Sequence, residues 1–342
     1  DPIYLPDGRI AFCSTRRRGH ARCFGGQFSP RWHVYTLHRV ERDGTGLRTL
    51  SFHDTNEWFP TVAHDGRILY ARWDYIDRDA VTHQNLWTMR PDGTNTATLW
   101  GNATPSPHCS FQAKPIPGTS TFVFTASAHH SITAGSSVVV DPSMDYDGEE
   151  AIVRITPEIP FPEAESRDIR EYYTSPWPLS EKCYLVGYSR TPLVWEPGAN
   201  HPNALGIYLL DVHGNREVIY RDPTIGSTNP MPLAARTAPA VLASDLRGSA
   251  PPTGELLLLD VYQGLGEVPR GTIKQLRIVQ IFPKTTPWAN DPRMGIAGEE
   301  NGRAILGTVP VEADGSARFT VPALKPLLFQ ALDKDGMAYQ TM

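Results

Sequence analysis

Short apolar runs recur along the chain, and each is entered or left through a Gly-, Pro- or Asp-containing turn. Leu5-Pro6-Asp7-Gly8-Arg9-Ile10-Ala11-Phe12 is a tight turn feeding an apolar strand. Roughly 58 residues on, Ala63-His64-Asp65-Gly66-Arg67-Ile68-Leu69-Tyr70 repeats it. Looser copies run through Ile116–Phe124 and Leu179–Val186. Between these lies a second repeating unit of strand, turn and strand. It runs from Val34–Leu37 through Asp43-Gly44 to Leu47–Leu50, and from Leu86–Met89 through Asp92-Gly93 to Ala97–Leu99. Further copies pass through Asp147-Gly148 and His213-Gly214. Asp-Gly pairs supply the positive φ values a tight hairpin requires. Two hairpins per unit make a four-stranded antiparallel sheet, and serial copies of such a sheet are the blades of a β-propeller.

The pattern predicts an all-β protein with four blades over residues 1–228. A Pro- and Ala-rich connector or extended wrap follows at 229–253, marked by Pro230, Pro232, Pro239, Pro251 and Pro252. Residues 254–342 leave the blade pattern. Strands are expected there at 255–261, 272–282, 304–309, 317–321 and 327–331, with turns at Asp314-Gly315 and Asp335-Gly336, forming a small β-sandwich-like module. Additional blades upstream, or closure of the ring by the C-terminal strands, are equally compatible with the repeat.

Composition narrows the function. The 342 residues carry a net charge of −5, which offers no basic field for a nucleic-acid backbone. No apolar stretch approaches the ~20 residues of a membrane span. The four cysteines, Cys13, Cys23, Cys109 and Cys183, contain no C-x-x-C or C-x-x-C-H, so this segment cannot attach a c-type haem by its own motif. Cys13 and Cys23 flank a polar excursion, Ser14 to Arg22, that a disulfide would staple; as buried thiols they would pack as small hydrophobes. A start at Asp1 fits a mature, secreted product, and Met342 ends a strand without a polar tail, so continuation of the chain is expected.

The blade repeat resembles TolB-like propellers, a periplasmic and extracellular scaffold. More specific stretches are Glu57-Trp58-Phe59-Pro60, Tyr70–Tyr75, Ala126–His130, Gly307–Ser316 and Phe329–Met342. Together these resemble the hydrazine synthase alpha-subunit family, over its propeller part and middle domain. The resemblance implies a periplasmic or extracellular protein working with a protein partner or with copies of itself. It also implies a c-type haem in a segment beyond Met342.

Three constellations are candidate sites. His129 and His130 adjoin at a strand end, where a break would let both ligate zinc with Cys109 from the preceding strand. In the resembling family histidines near the haem motif sit close to a metal. The alternative is structural histidines bonding backbone between blades. Arg72, Trp73 and Asp74, with Asp77, form a charged aromatic cluster, either at the mouth of a central channel or as an inter-blade ion pair around a packed indole. The acidic stretch Asp141–Glu150 fails the EF-hand pattern, having Tyr146 where glycine is needed and Ile152 where a carboxylate is needed. Arg16-Arg17-Arg18 reads as a solvated loop or a contact for an acidic partner. Gly264-Leu265-Gly266 lacks the third spaced glycine of a dinucleotide fingerprint, and neither a Gly-x-Ser-x-Gly elbow nor a P-loop occurs. With no complete catalytic set, the expected role is a secreted scaffold or binding propeller in a larger assembly. The alternative is the non-haem portion of a multihaem oxidoreductase.

Overall fold

The repeat of strands and turns is realised as four consecutive antiparallel sheets in a computed structural model. The structure describes all residues except 22–32, 75–80, 130–131, 163–168, 195–197, 247–252, 289, 297, 299 and 342. Sheet 1 is β1 (Pro2–Tyr4), β2 (Ile10–Ser14), β3 (Thr36–Val40) and β4 (Arg48–Thr49). Sheet 2 is β5 (Glu57–Val62), β6 (Ile68–Trp73), β7 (Gln84–Met89) and β8 (Ala97–Trp100). Sheet 3 is β9 (Cys109–Pro115), β10 (Phe122–Ser127), β11 (Ser136–Val140) and β12 (Ile152–Arg154). Sheet 4 is β13 (Tyr172–Ser180), β14 (Cys183–Ser189), β15 (Gly206–Asp211) and β16 (Arg216–Tyr220). Each is a simple meander, with sheets 2 and 3 joined by one parallel bridge, Gln84 to Cys109.

The repeated sequence makes the same turn each time. The Leu5 amide donates to the Arg9 carbonyl at 2.8 Å and the Gly8 amide to the Leu5 carbonyl at 2.9 Å. Ala63 and Gly66 reproduce this pair at 2.8 and 3.1 Å. The copy through Asp147-Gly148 departs from the two-residue hairpin: residues 141–151 form a longer connection ending in a single 3-10 turn at Glu149–Ala151.

Strand alternation explains why the sheets stack. Successive side chains point to opposite faces, so a strand apolar at every position must be covered on both. In β6, Ile68 and Tyr70 pack with Leu5, Leu37 and Leu50 of sheet 1, whereas Leu69 packs with Phe122 and Phe124 of sheet 3. In β10, Val123 turns the other way, into a cluster with Tyr173, Tyr184 and Val186 of sheet 4. Burial of each such side chain contributes about 1.5–3 kcal/mol, so no sheet is stable without its neighbours. Four-stranded antiparallel sheets stacked in this way are the pattern that the blade repeat predicts.

After β16 the described residues up to 246 form neither helix nor strand and lie back across sheets 4 and 2. Arg236 stacks its guanidinium on Trp177 at 4.8 Å, Arg90 bonds the Ala243 carbonyl at 2.5 Å, and Asp92 accepts from the Ser244 hydroxyl and the Asp245 amide. The connector is thus a strap on the blade unit up to Asp245.

The chain divides into two compact units. One is Asp1–Arg17, Val34–Ser51 and Thr55–Asp245; the other is Arg18–His33, Phe52–Asp54 and Leu246–Met342. In the second unit β17 (Thr253–Leu258) pairs with β20 (Ala317–Pro322). The other sheet has the order β19-β18-β21-β22, with β18 at Gln275–Ile281, β19 at Arg303–Pro310, β21 at Leu327–Leu332 and β22 at Ala338–Thr341. Leu276 and Ile278 of one sheet meet Ala317, Phe319 and Val321 of the other, giving the small sandwich. No helix among the described residues is long and apolar enough to cross a membrane.

Candidate functional site

The first strands of sheets 2, 3 and 4 share an irregularity at one position. Phe59 in β5, Gln112 in β9 and Ser175 in β13 adopt left-handed φ values of 53°, 57° and 51°. The ladder to the second strand slips at each place, so each is the extra residue of a β-bulge. A non-glycine residue there costs about 1–2 kcal/mol and persists only where surroundings over-determine it. Pro60 and Pro176 follow two of the three; lacking an N–H, they leave no orphan donor at the break.

Gln112 shows what holds the bulges. Its side-chain oxygen accepts from the Ser175 amide at 2.8 Å, Thr174 Oγ1 at 3.1 Å and Thr125 Oγ1 at 2.9 Å, and its Nε2 donates to Ser175 Oγ at 3.0 Å. One side chain therefore ties the first strands of sheets 3 and 4. Beside it opens a cavity of about 430 Å³, whose polar wall includes Gln112, Thr133, Ser175, His201 and Thr228, with Ile132 and Leu193 on its apolar side. Among the described residues no Asp, Glu, Lys or Arg lines it.

The residues singled out from the sequence divide differently. Trp73 is buried, stacked on Trp58 at 6.1 Å and set against the His129 ring at 5.5 Å, so it packs between sheets 2 and 3. The Arg72–Asp74 ion pair, at 2.9 Å, runs along one strand end, with the guanidinium 4.0 Å from the Trp87 ring of the same sheet. That pair lies within a blade rather than between blades, because residues two apart share a face. Asp77 lies outside the described residues.

His129 is buried and its Nδ1 bonds the Gln84 side-chain amide at 2.7 Å. Gln84 also bridges Cys109 through its backbone, which brings His129 and Cys109 to one neighbourhood. Burial pushes the Cys109 thiol well above its ordinary range. His130 lies outside the described residues. Among the described residues no group of three or more His, Cys, Asp or Glu side chains is arranged to hold a metal ion. In the acidic stretch, Asp147 turns its carboxylate to the Ala103 amide at 2.6 Å and Thr104 Oγ1 at 3.1 Å. Cys13 carries a free thiol pushed up to about 12, by burial first and then by Glu57, while Cys23 lies outside the described residues.

Residues 271–342, which form β18 to β22, match the family model of the hydrazine synthase alpha subunit middle domain. The whole chain superposes on a solved structure, the hydrazine synthase of Kuenenia stuttgartiensis, with a TM-score of 0.72 and 17% identity. That alignment covers 98% of this chain and 49% of the other. Residues 271–342 are thus similar to the middle domain of that family, and the chain as a whole shares the fold of that solved structure. It spans about half the length of that solved chain. A crystal structure of puromycin hydrolase aligns over 66% of this chain and 38% of its own, at 14% identity and a TM-score of 0.30, too low to carry an argument. No curated protein matches by sequence. The family match covers none of the four sheets, so Gln112, Ser175 and their cavity are known from geometry alone. The sequence held one signal for them: aligning the blade repeats on their turns puts Phe59, Gln112 and Ser175 in one column.

Proposed function

We propose that this chain is the blade and middle-domain portion of a hydrazine synthase alpha-like subunit, acting as a scaffold within a larger redox assembly. The observation that carries this is the superposition of nearly the whole chain, 98%, on about half, 49%, of the Kuenenia hydrazine synthase chain. A stack of sheets that cover one another, joined to a sandwich, supplies rigid surface for docking rather than a set of reacting groups. On this reading the redox chemistry belongs to sequence that the chain does not span. A c-type haem would be attached downstream of Met342, and the assembly would work in the periplasm or outside the cell, as TolB-like propellers do.

The test is made on the full-length gene product from its native source. Light scattering after size exclusion should show a mass above one chain, and a haem-stained gel should mark the full-length band. A strictly monomeric species with no co-purifying partner would overturn the assembly role. A stop codon directly after Met342 would place any haem on another chain and reduce the role to scaffold alone.

A further inference from the structure

Thr61, Lys114 and Trp177 hold one position in three neighbouring first strands, each being the first residue paired again after its bulge. Lys114 sits in the middle sheet and reaches both ways. Its Nζ lies 3.5 Å from Thr61 Oγ1 and 5.8 Å from the centroid of the Trp177 ring. The same indole carries Arg236, whose Cζ is 4.8 Å from that centroid. Arg236 arrives from the strap that follows sheet 4. A recessed ammonium and an exposed guanidinium thus share one aromatic platform.

This arrangement lacks a counter-charge. Among the described residues no carboxylate is paired with either cation, and the one charge acting on Lys114 is that of Arg236, of like sign. The bond to Thr61 is at the long limit for a hydrogen bond. A ring face attracts a cation by about 0.5–1 kcal/mol at an exposed site, less than the hydration a recessed ammonium gives up. Burial, and then Arg236, bring the Lys114 ammonium down to about 8. Neither Thr61 nor Trp177 restores what burial removed. The chain as a whole is acidic, with a net charge of −5, so two unpaired cations on one indole stand apart from its general surface.

We propose that Lys114 and Arg236 form an anion-binding site on the first strands, taking a small free carboxylate or oxyanion against Trp177. The anion accepts from the Lys114 ammonium and the Arg236 guanidinium, and the Thr61 hydroxyl, which accepts from Lys114, keeps its own hydrogen to donate. Lys114 is half-buried between strands, so the group that reaches it is narrow. Arg236 lies on the exposed strap and closes over the entrant from outside. The site is independent of whether the chain assembles with partners.

Inorganic phosphate and acetate are the probes, titrated into the full-length protein at ionic strength held constant with sodium chloride. Phosphate should bind saturably with a dissociation constant of about 1–10 mM, and Lys114→Gln and Arg236→Gln should each weaken it about tenfold. Lysine-resolved NMR should show the Lys114 titration midpoint moving up from about 8 when phosphate is saturating. A merely structural lysine would not move. Acetate binding alone would assign the site to carboxylates, a narrower form of the same proposal. Absence of saturable binding of either anion, or wild-type affinity in Arg236→Gln, overturns it. Arg236→Gln lies on an exposed segment and keeps the test valid if Lys114→Gln fails to fold.

Discussion

The carboxylate of Glu57 in β5 accepts the backbone amide of Leu37 in β3 at 3.0 Å, so a buried side chain of sheet 2 completes the hydrogen bonding of sheet 1. Its other oxygen takes the Ser51 hydroxyl at 2.5 Å. The backbone does the same nearby, with the Glu57 amide donating to the Tyr35 carbonyl at 2.9 Å. Apolar stacking alone leaves sheets free to slide. These bonds fix where they stop, because a buried amide without an acceptor is expensive.

Replacing Glu57 with alanine should therefore cost about 3 kcal/mol, since it strands the Leu37 amide in the interior and removes the bond to the Ser51 hydroxyl. Glu57→Gln keeps an acceptor of the same shape and should cost about 1 kcal/mol. Urea denaturation of both variants checks this. Equal losses would mean that the charge, and not the bonding pattern, matters at this position.

Gln112 is expected to behave as a structural knot of the bulged strands. Gln112→Ala removes the acceptor of the Ser175 amide and of two threonine hydroxyls, and should destabilise by about 2–3 kcal/mol. Gln112→Gly loses the same bonds but relieves the left-handed backbone, so it should be the milder change by about 1 kcal/mol. That ordering, read by thermal unfolding, is opposite to the one found at regular strand positions, where glycine is the worse substitution.

Gly8 and Gly66 occupy the same turn in consecutive repeats, at φ of 86° and 87°, yet only one is crowded. A Cβ on Gly66 would fall 2.1 Å from the Ala240 carbonyl oxygen of the strap, whereas at Gly8 nothing lies within 4 Å. Gly8→Ala should cost about 1 kcal/mol of backbone strain alone. Gly66→Ala should add displacement of the strap, seen as faster limited proteolysis between residues 229 and 246. Identical protease patterns for the two variants would refute a strap seated on this turn.

The blades were legible because their information is local: Asp-Gly turns and apolar runs of strand length mark every hairpin. The sandwich strands were legible on the same ground, down to the turn at Asp314-Gly315. What was not legible comes from between the repeats. Lys114 reads as an ordinary strand residue until its column is completed by Thr61 and Trp177, and Arg236 enters from far along the chain. The two adjacent histidines and the Arg72–Asp74 cluster drew notice as dense local chemistry. In the fold His129 serves packing and a bond to Gln84, and Arg72 and Asp74 pair within one strand end.

Lys114 gives the pH dependence a definite sign. Its folded ammonium is held down to about 8 against an ordinary value of 10.5, by burial first and by Arg236 second. Below pH 8 folded and unfolded chains both carry the proton, and the folded chain bears the full penalty. Between about 8 and 10.5 the unfolded chain binds more protons than the folded one, so this residue's contribution to stability rises with pH across that window. Lys114→Met removes the penalty and should be more stable than the parent at pH 7 by about 1 kcal/mol, a value discounted for the partial exposure of the side chain. The difference should shrink on raising the pH through 8 and vanish above 10.5, where the parent lysine becomes neutral in both states. Paired denaturant melts of parent and variant across that range isolate the effect, because all other titrations cancel in the difference. A gap that stays constant with pH would show that the ammonium is not the source of the strain, and would remove the electrostatic reason for an anion beside Trp177.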